Sequence, residues 1–285
     1  MAGTQLLKRR IRSIGNTKQI TKAMELVAAA RLRRVQEAAQ KSRAYANAAT
    51  SILQKLNRSP EASQHPYFNP ASSHGKLYII FTSDRGLAGS YNANVFNVAA
   101  RTFAEDAKLK LQPLVITFGR KGSRHFSHGT NIEFLGAYDN TDDSPDMNIF
   151  APVLETISSG MRDGQFGAVS VIFTESISTM VQQVRTLKLL PAEPAADDNH
   201  DVYELEPDGT VVLETALRLY FESMLRRARV EAAASEHAMR MISMGNANRN
   251  AADLIDILTL ELNATRQAAI TQEMAEIIGG AEAIT

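Results

Sequence analysis

The sequence predicts an α+β protein in which long N- and C-terminal helices form an antiparallel coiled coil around an inserted small α/β domain. Three observations lead there. All nine prolines lie between Pro60 and Pro207, so the first 59 and the last 78 residues contain none. A proline inside a helix costs about 3 kcal/mol, and both ends of the chain are therefore free to run as unbroken helix. Charge is segregated as well: residues 1–58 carry 13 Lys and Arg against two acidic residues, whereas residues 197–285 carry 7 against 16. Balances of +11 and −9 on two proline-free arms suit antiparallel association. The third observation is the alternation of apolar strand patterns with amphipathic helical ones between the arms.

The N-terminal helix is placed at residues 1–58. Ala, Arg, Lys, Gln and Leu crowd it, and Tyr45 is its only aromatic residue; these are strong helix formers. Leu7, Ile11 and Ile14 follow the 4,3 rhythm of a coiled-coil seam, as do Ala28, Leu32, Val35 and Ala39, then Ala46, Ala49, Leu53 and Leu56. Continuing that register would bury Lys18, Thr21 and Glu25, so the apolar stripe is expected to shift to Ile20, Met24 and Val27, breaking the heptad around residues 15–25.

Residues 59–207 form the inserted domain. KLYIIFTS at 76–83 reads as a buried strand leading through DRGLAGS into the amphipathic helix YNANVFNVAARTFAED. LQPLVITFG at 111–119 is a second strand, APVLETISSGMRDG at 151–164 a second helix, and FGAVSVIFTES at 166–176 a further strand. This alternation implies a Rossmann-like, mostly parallel sheet. Residues 180–190 and 201–207 read as extended segments joined by the Pro-rich, acidic PAEPAADDNH.

The C-terminal helix is placed at residues 208–285. Its expected seam passes through Val211, Ala216, Leu219, Ser223, Arg226 and Val230, becoming more apolar at Leu254, Ile257, Leu258, Leu260, Leu262 and Ile270. Gly245 is read as a glycine tolerated within the helix despite a cost of about 1 kcal/mol relative to Ala.

Several function classes are disfavoured. With no cysteine, there is no disulfide, thiolate nucleophile or cysteine-built metal centre. The turn Asp84-Arg85-Gly86-Leu87-Ala88-Gly89 fits neither GxGxxG nor a P-loop, which leaves a plain strand-to-helix turn as the better reading over a nucleotide site. His125 and His128 are placed in a polar loop without a third ligand, and Ser123 and Ser127 near them lack a nucleophile elbow. No catalytic, cofactor or metal residues are assigned. A polyanion-binding role for the +11 arm stays open unless the −9 arm neutralises it.

Four segments then carry a family resemblance. IRSIGNTKQITKAMELVAAARLRR at 11–34 and LNATRQAAITQEMAEIIGGAEAI at 262–284 resemble the terminal signatures of the gamma subunit of F-type ATP synthases. DRGLAGSYNANVF at 84–96 resembles the opening turn of that family's central domain, and SEHAMRMISMGNANRNA at 235–251 the stretch before its C-terminal signature. The chain departs from the family with Ala88 where Cys is frequent and Ser90 where Gly is frequent.

The resemblance implies a non-catalytic rotor shaft, needing no cofactor and binding no nucleic acid. Its coil would enter a hexamer of alpha and beta subunits, and its foot would meet the epsilon subunit and the c-subunit ring. By the same resemblance, Lys18, Gln19, Lys22 and Met24, and Arg266, Gln267, Thr271 and Gln272, would contact beta subunits. Asp84, Arg85, Gly86, Tyr203 and Glu204 would serve the foot, with Pro207 beside them, and IIGGAEAIT would project into an apolar bearing. A bacterial member, peripheral at the cytoplasmic face of the cell membrane, is expected.

Overall fold

A computed structural model of the chain describes residues 2–56, 59–60, 62, 65–70, 73–129, 131–139, 148–192, 206 and 208–282. The elements are α1 (Ala2–Leu56), β1 (Gly75–Phe81), α2 (Tyr91–Lys108), β2 (Gln112–Phe118), α3 (Arg120–Phe126), β3 (Glu133–Tyr138), α4 (Ala151–Arg162), β4 (Ala168–Ser176), β5 (Gln182–Leu190) and α5 (Gly209–Glu282). The architecture is α+β, with the terminal helices packed antiparallel and the α/β domain inserted between them. Two compact units result: Met1–Ala29 with Arg240–Thr285, and Ala30–Met239.

Unit one is a two-helix coil. Its direction follows from two close approaches: a Cβ built on Gly3 would lie 4.0 Å from Thr265 Cγ2, and one on Gly245 would lie 3.5 Å from Glu25 Cδ. On α1 the inward positions are Leu7, Ile11, Ile14, Lys18, Thr21, Glu25 and Ala28. This 4,3 rhythm never breaks, contrary to the expected shift at residues 15–25. Ile20 and Val27, expected in the seam, are 60% and 55% exposed, and only Met24 is partly covered. The seam tolerates polar residues here because their neighbours satisfy them. Thr21 Oγ1 donates to the Lys18 carbonyl at 3.0 Å, and Lys22 pairs with Glu25 at 3.2 Å. Ala28 keeps the axes close.

On α5 the inward residues Met244, Ala251, Ile255, Leu258, Leu262, Thr265 and Ala269 again follow the heptad. Leu254, Ile257, Leu260 and Ile270, expected in that seam, face outward instead. Helix α5 runs unbroken through Gly245.

Unit two contains a five-stranded sheet of order β3-β2-β1-β4-β5. Strands β1 to β4 are parallel, and β5 returns antiparallel along β4. The period-2 geometry of strands sorts their side chains by face. Leu77, Ile79, Phe81, Leu114, Ile116, Phe118, Val169, Val171 and Phe173 share a core with Val153, Ile157 and Phe166 and with the helix pair through Ala46, Leu53, Leu217, Phe221 and Leu225. Tyr78, Ile80, Val115 and Ile172 form a second core with Val95, Ala99 and Phe126. Both faces are covered, as a parallel sheet requires.

The region expected to be a polar loop after β2 instead holds α3 and β3, with His125 on α3 stacked on Phe96 at a centroid distance of 3.9 Å. Helix α3 has seven residues, RKGSRHF, too few to show a period. Val211, expected in the α5 seam, is exposed. The extended reading of 201–207 lies outside the described residues except for Glu206.

Candidate partner-binding surface

In unit one the two groups of candidate contact residues are separate patches. The register of Gly3 against Thr265 and Glu25 against Gly245 sets Lys18–Met24 opposite the stretch near residue 250, whereas Arg266 begins where α1 starts. Roughly 20 Å of helix rise divides them. Gln19 and Lys22 are exposed and Lys18 and Met24 half-buried. Arg266, Gln267, Thr271 and Gln272 are all exposed. Thr271 Oγ1 donates to the Gln267 carbonyl at 3.0 Å, and Gln272 Nε2 donates to Glu276 Oε1 at 3.0 Å. These local bonds order the side chains on a stretch of α5 that extends past the Gly3 level.

The sequence placed Ile20 and Val27 on α1, and Leu254, Ile257, Leu260 and Ile270 on α5, in the seam; these six are exposed, as are Leu26, Met274, Ile277 and Ile278. Apolar exposure on this scale marks a surface that a partner covers. The heptad held through residues 15–25 is the signal that could have turned them outward.

Charge lies on the same surface. Lys8, Arg9, Arg10 and Arg12 are exposed and make no ion pair among the described residues. In unit two, Arg43 does join the arms, pairing through Nε and Nη2 with the fully buried Glu231. That hydrogen bond holds the Arg43 guanidinium above its ordinary value, outweighing desolvation.

The turn after β1 in unit two is tied internally. Asp84 Oδ1 accepts from the Arg120 amide at 2.9 Å and pairs with Arg120 Nε at 3.7 Å, leaving 5% of its side chain exposed. Arg85, Gly86 and Leu87 face solvent. Parallel sheets bind ligands in the crevice at their switch point, which here lies between β1 and β4. Beside it Thr82 fills the space against β2: a Cβ on Gly119 or Gly122 would come within 2.3 or 2.6 Å of a Thr82 oxygen. At the opposite end of β1, Tyr78 donates to Asp106, which also pairs with Lys76 at 3.1 Å; burial, then this bond, pushes the Tyr78 phenol up. Tyr203, Glu204 and Pro207 lie outside the described residues.

Comparison with known proteins agrees with this arrangement. A family model described as ATP synthase matches residues 3–284. The ATP synthase gamma chain of Clostridium acetobutylicum is 39% identical over 283 residues, covering 99% of both chains. That of Legionella pneumophila is 36% identical over 290 residues, covering all of both. Among solved structures, the Euglena gracilis mitochondrial ATP synthase assembly of OSCP, F1 and c-ring contains a chain matching 99% of this one and 95% of its own length, with TM-score 0.66 and 19% identity. The Tetrahymena thermophila mitochondrial ATP synthase central stalk and c-ring contains another, covering 80% and 99%, with TM-score 0.60 and 22% identity. At those identities the structural matches speak to the fold. The sequence relationship, along the whole length, carries the conclusion that this chain belongs to the gamma-chain family of ATP synthases.

Proposed function

We propose that the chain is the central rotor shaft of an F-type, proton-translocating ATP synthase. It couples rotation of a c-subunit ring to sequential conformational change in three catalytic beta subunits, and runs in reverse when ATP hydrolysis drives ion pumping. The observation that carries this reading is the outward apolar surface of unit one, from Ile20 and Val27 to Ile277 and Ile278, which the chain's own fold does not cover. A hexamer of alpha and beta subunits is the occupant that fits a coil with such a surface. Three identical catalytic sites hold different conformations only if they meet different contacts, and each contact biases its site's equilibrium.

In this reading Lys18, Gln19, Lys22 and Met24 meet an acidic beta-subunit segment, helped by the exposed cations at Lys8, Arg9, Arg10 and Arg12. Arg266, Gln267, Thr271 and Gln272 hydrogen-bond to one beta subunit at a time. Arg85, Gly86, Tyr203 and Glu204 belong to the foot, facing the epsilon subunit or the c ring, with Asp84 holding the turn. The shaft changes no covalent bond itself. It is peripheral to the membrane through the complex, at the cytoplasmic face of a bacterial cell, in keeping with the lack of any described helix long and apolar enough to cross a membrane.

Reconstitution tests the proposal. Mixing the chain with its alpha and beta subunits is expected to yield an active, rotating ATPase, and removal of residues 262–285 to weaken torque or assembly. Failure of the full chain to co-purify with the hexamer, together with unchanged ATPase activity, overturns it.

A further inference from the structure

In unit two the sheet meets the helix pair through two kinds of contact. The larger is apolar: Leu217, Phe221 and Leu225 of α5 and Ala46 and Leu53 of α1 lie in one core with β1 and β4. Such contact resists separation but has no direction of its own, so it resists sliding weakly. The second contact is polar and sits at the last residue of β4. Glu231 has a side-chain exposure of 0%. It accepts from Arg43 Nη2 at 2.9 Å and from the Ser176 amide at 3.1 Å, besides its bond from Arg43 Nε. Arg43 Nη2 also donates to the Ser176 carbonyl at 2.9 Å. One residue of the sheet is thus gripped at both its N–H and its C=O by one residue from each terminal helix. One turn along α5, Ser235 Oγ donates to the Thr174 carbonyl at 3.0 Å. The adjoining Glu175 pairs with Arg227 at 3.5 Å and with Arg185 at 3.0 Å.

Resting on the rotor reading above, we propose that the Arg43–Glu231–Ser176 clamp is the torque-bearing joint between the α/β domain and the helix pair. Arg43 and Glu231 act as positioning residues that fix the sheet's rotational register on the shaft. Buried ion pairs often contribute little net stability, and a well-packed apolar pair of similar volume replaces them at small cost. What an apolar replacement does not supply is direction. Stability and torsional stiffness should therefore separate at this site, and that separation is the signature sought.

The test uses the full chain assembled with its alpha and beta subunits. The chain has no native cysteine, so Lys108→Cys, at the exposed end of α2, gives one attachment point for a rotation probe while the hexamer is fixed to a surface. In that background Arg43→Met is combined with Glu231→Leu. Thermal unfolding and ATP hydrolysis are expected to stay close to those of the unaltered complex. The Ser176 amide should exchange with solvent about tenfold faster, as for the loss of one hydrogen bond to a charged group, and the distribution of probe angles within each pause should widen. Where the double variant does not fold, the isosteric Glu231→Gln takes its place with the same two readouts. Unchanged exchange and unchanged angular width overturn the proposal. Faster exchange at constant angular width also overturns it, because the ion pair then anchors the strand end locally and bears no torque. If the unaltered chain does not rotate in the hexamer, the rotor reading itself fails and the torque assignment goes with it, whereas exchange at Ser176 still reports whether the clamp grips the strand.

Discussion

Helix α5 passes through both compact units, and its surroundings differ sharply between them. In unit two, Leu213, Leu217, Phe221, Met224, Leu225, Ala228, Ala232, Ala234 and Ala238 are all buried, because sheet, loop and α1 enclose the helix on several sides. In unit one, only Met244, Ala251 and Leu258 are buried among the helix's described residues, since α1 covers it there. The chain nevertheless keeps large apolar residues on the open side of unit one. Two regions of a single helix, both rich in apolar residues, thus have different jobs: unit two uses its apolar residues to fold, and unit one holds many of its own in reserve for other subunits.

Three leucines on this helix test that contrast. Leu225→Ala, at 0% exposure in the unit-two core, should lower the unfolding free energy by about 3–4 kcal/mol in urea titration, combining lost transfer energy with a residual cavity. Leu258→Ala, at 8% exposure in the unit-one seam, should cost about 1–2 kcal/mol, because a two-helix seam relaxes into the space. Leu260→Ser, at 71% exposure, should move stability by less than about 0.5 kcal/mol while lowering the affinity of the chain for the hexamer in a co-purification titration. Equal costs at Leu225 and Leu260 would erase the distinction between the regions.

An effect in the opposite direction sharpens it. Gly245→Ala places its methyl 3.5 Å from Glu25 Cδ, ordinary contact distance, and should raise stability by up to about 1 kcal/mol through helix propensity. The thermal transition would rise accordingly. The smallest expected effect is one of pH, in unit two. His65 is held below its ordinary value of 6.5, chiefly by burial, with Glu214 pulling the other way. The folded state therefore favours neutral His65, the unfolded chain binds more protons, and stability declines as pH falls through about 6.5. His65→Phe should flatten that slope in unfolding measured from pH 7 to pH 5.

Much of this was legible in the chain. Proline spacing anticipated two long helices, and VITF and VSVIF announced buried parallel strands because period and β-branching agree there. Helix α3 and strand β3 were not legible: one is a single short stretch containing Gly122, and the other is a half-buried edge strand interrupted by Gly136. The seam failed for a different reason. Hydrophobic patterning assumes that apolar residues face the chain's own interior, and at Ile20, Val27, Ile257 and Leu260 that assumption breaks down. Lys18, Thr21 and Glu25 hold the inward positions because Thr21 bonds back to its own helix, Glu25 pairs with Lys22 and Lys18 stays half-buried. The candidate contacts at Lys18–Met24 and Arg266–Gln272 came from family resemblance, since polar side chains on a helix surface carry no signal by themselves.

The uncovered isoleucines and leucines of unit one also bear on how a cell makes this protein. A copy released without partners presents those side chains to every neighbouring chain, and contacts of that kind favour self-association. Synthesis in step with the other subunits, or prompt removal of orphans, then becomes a condition for keeping the pool soluble.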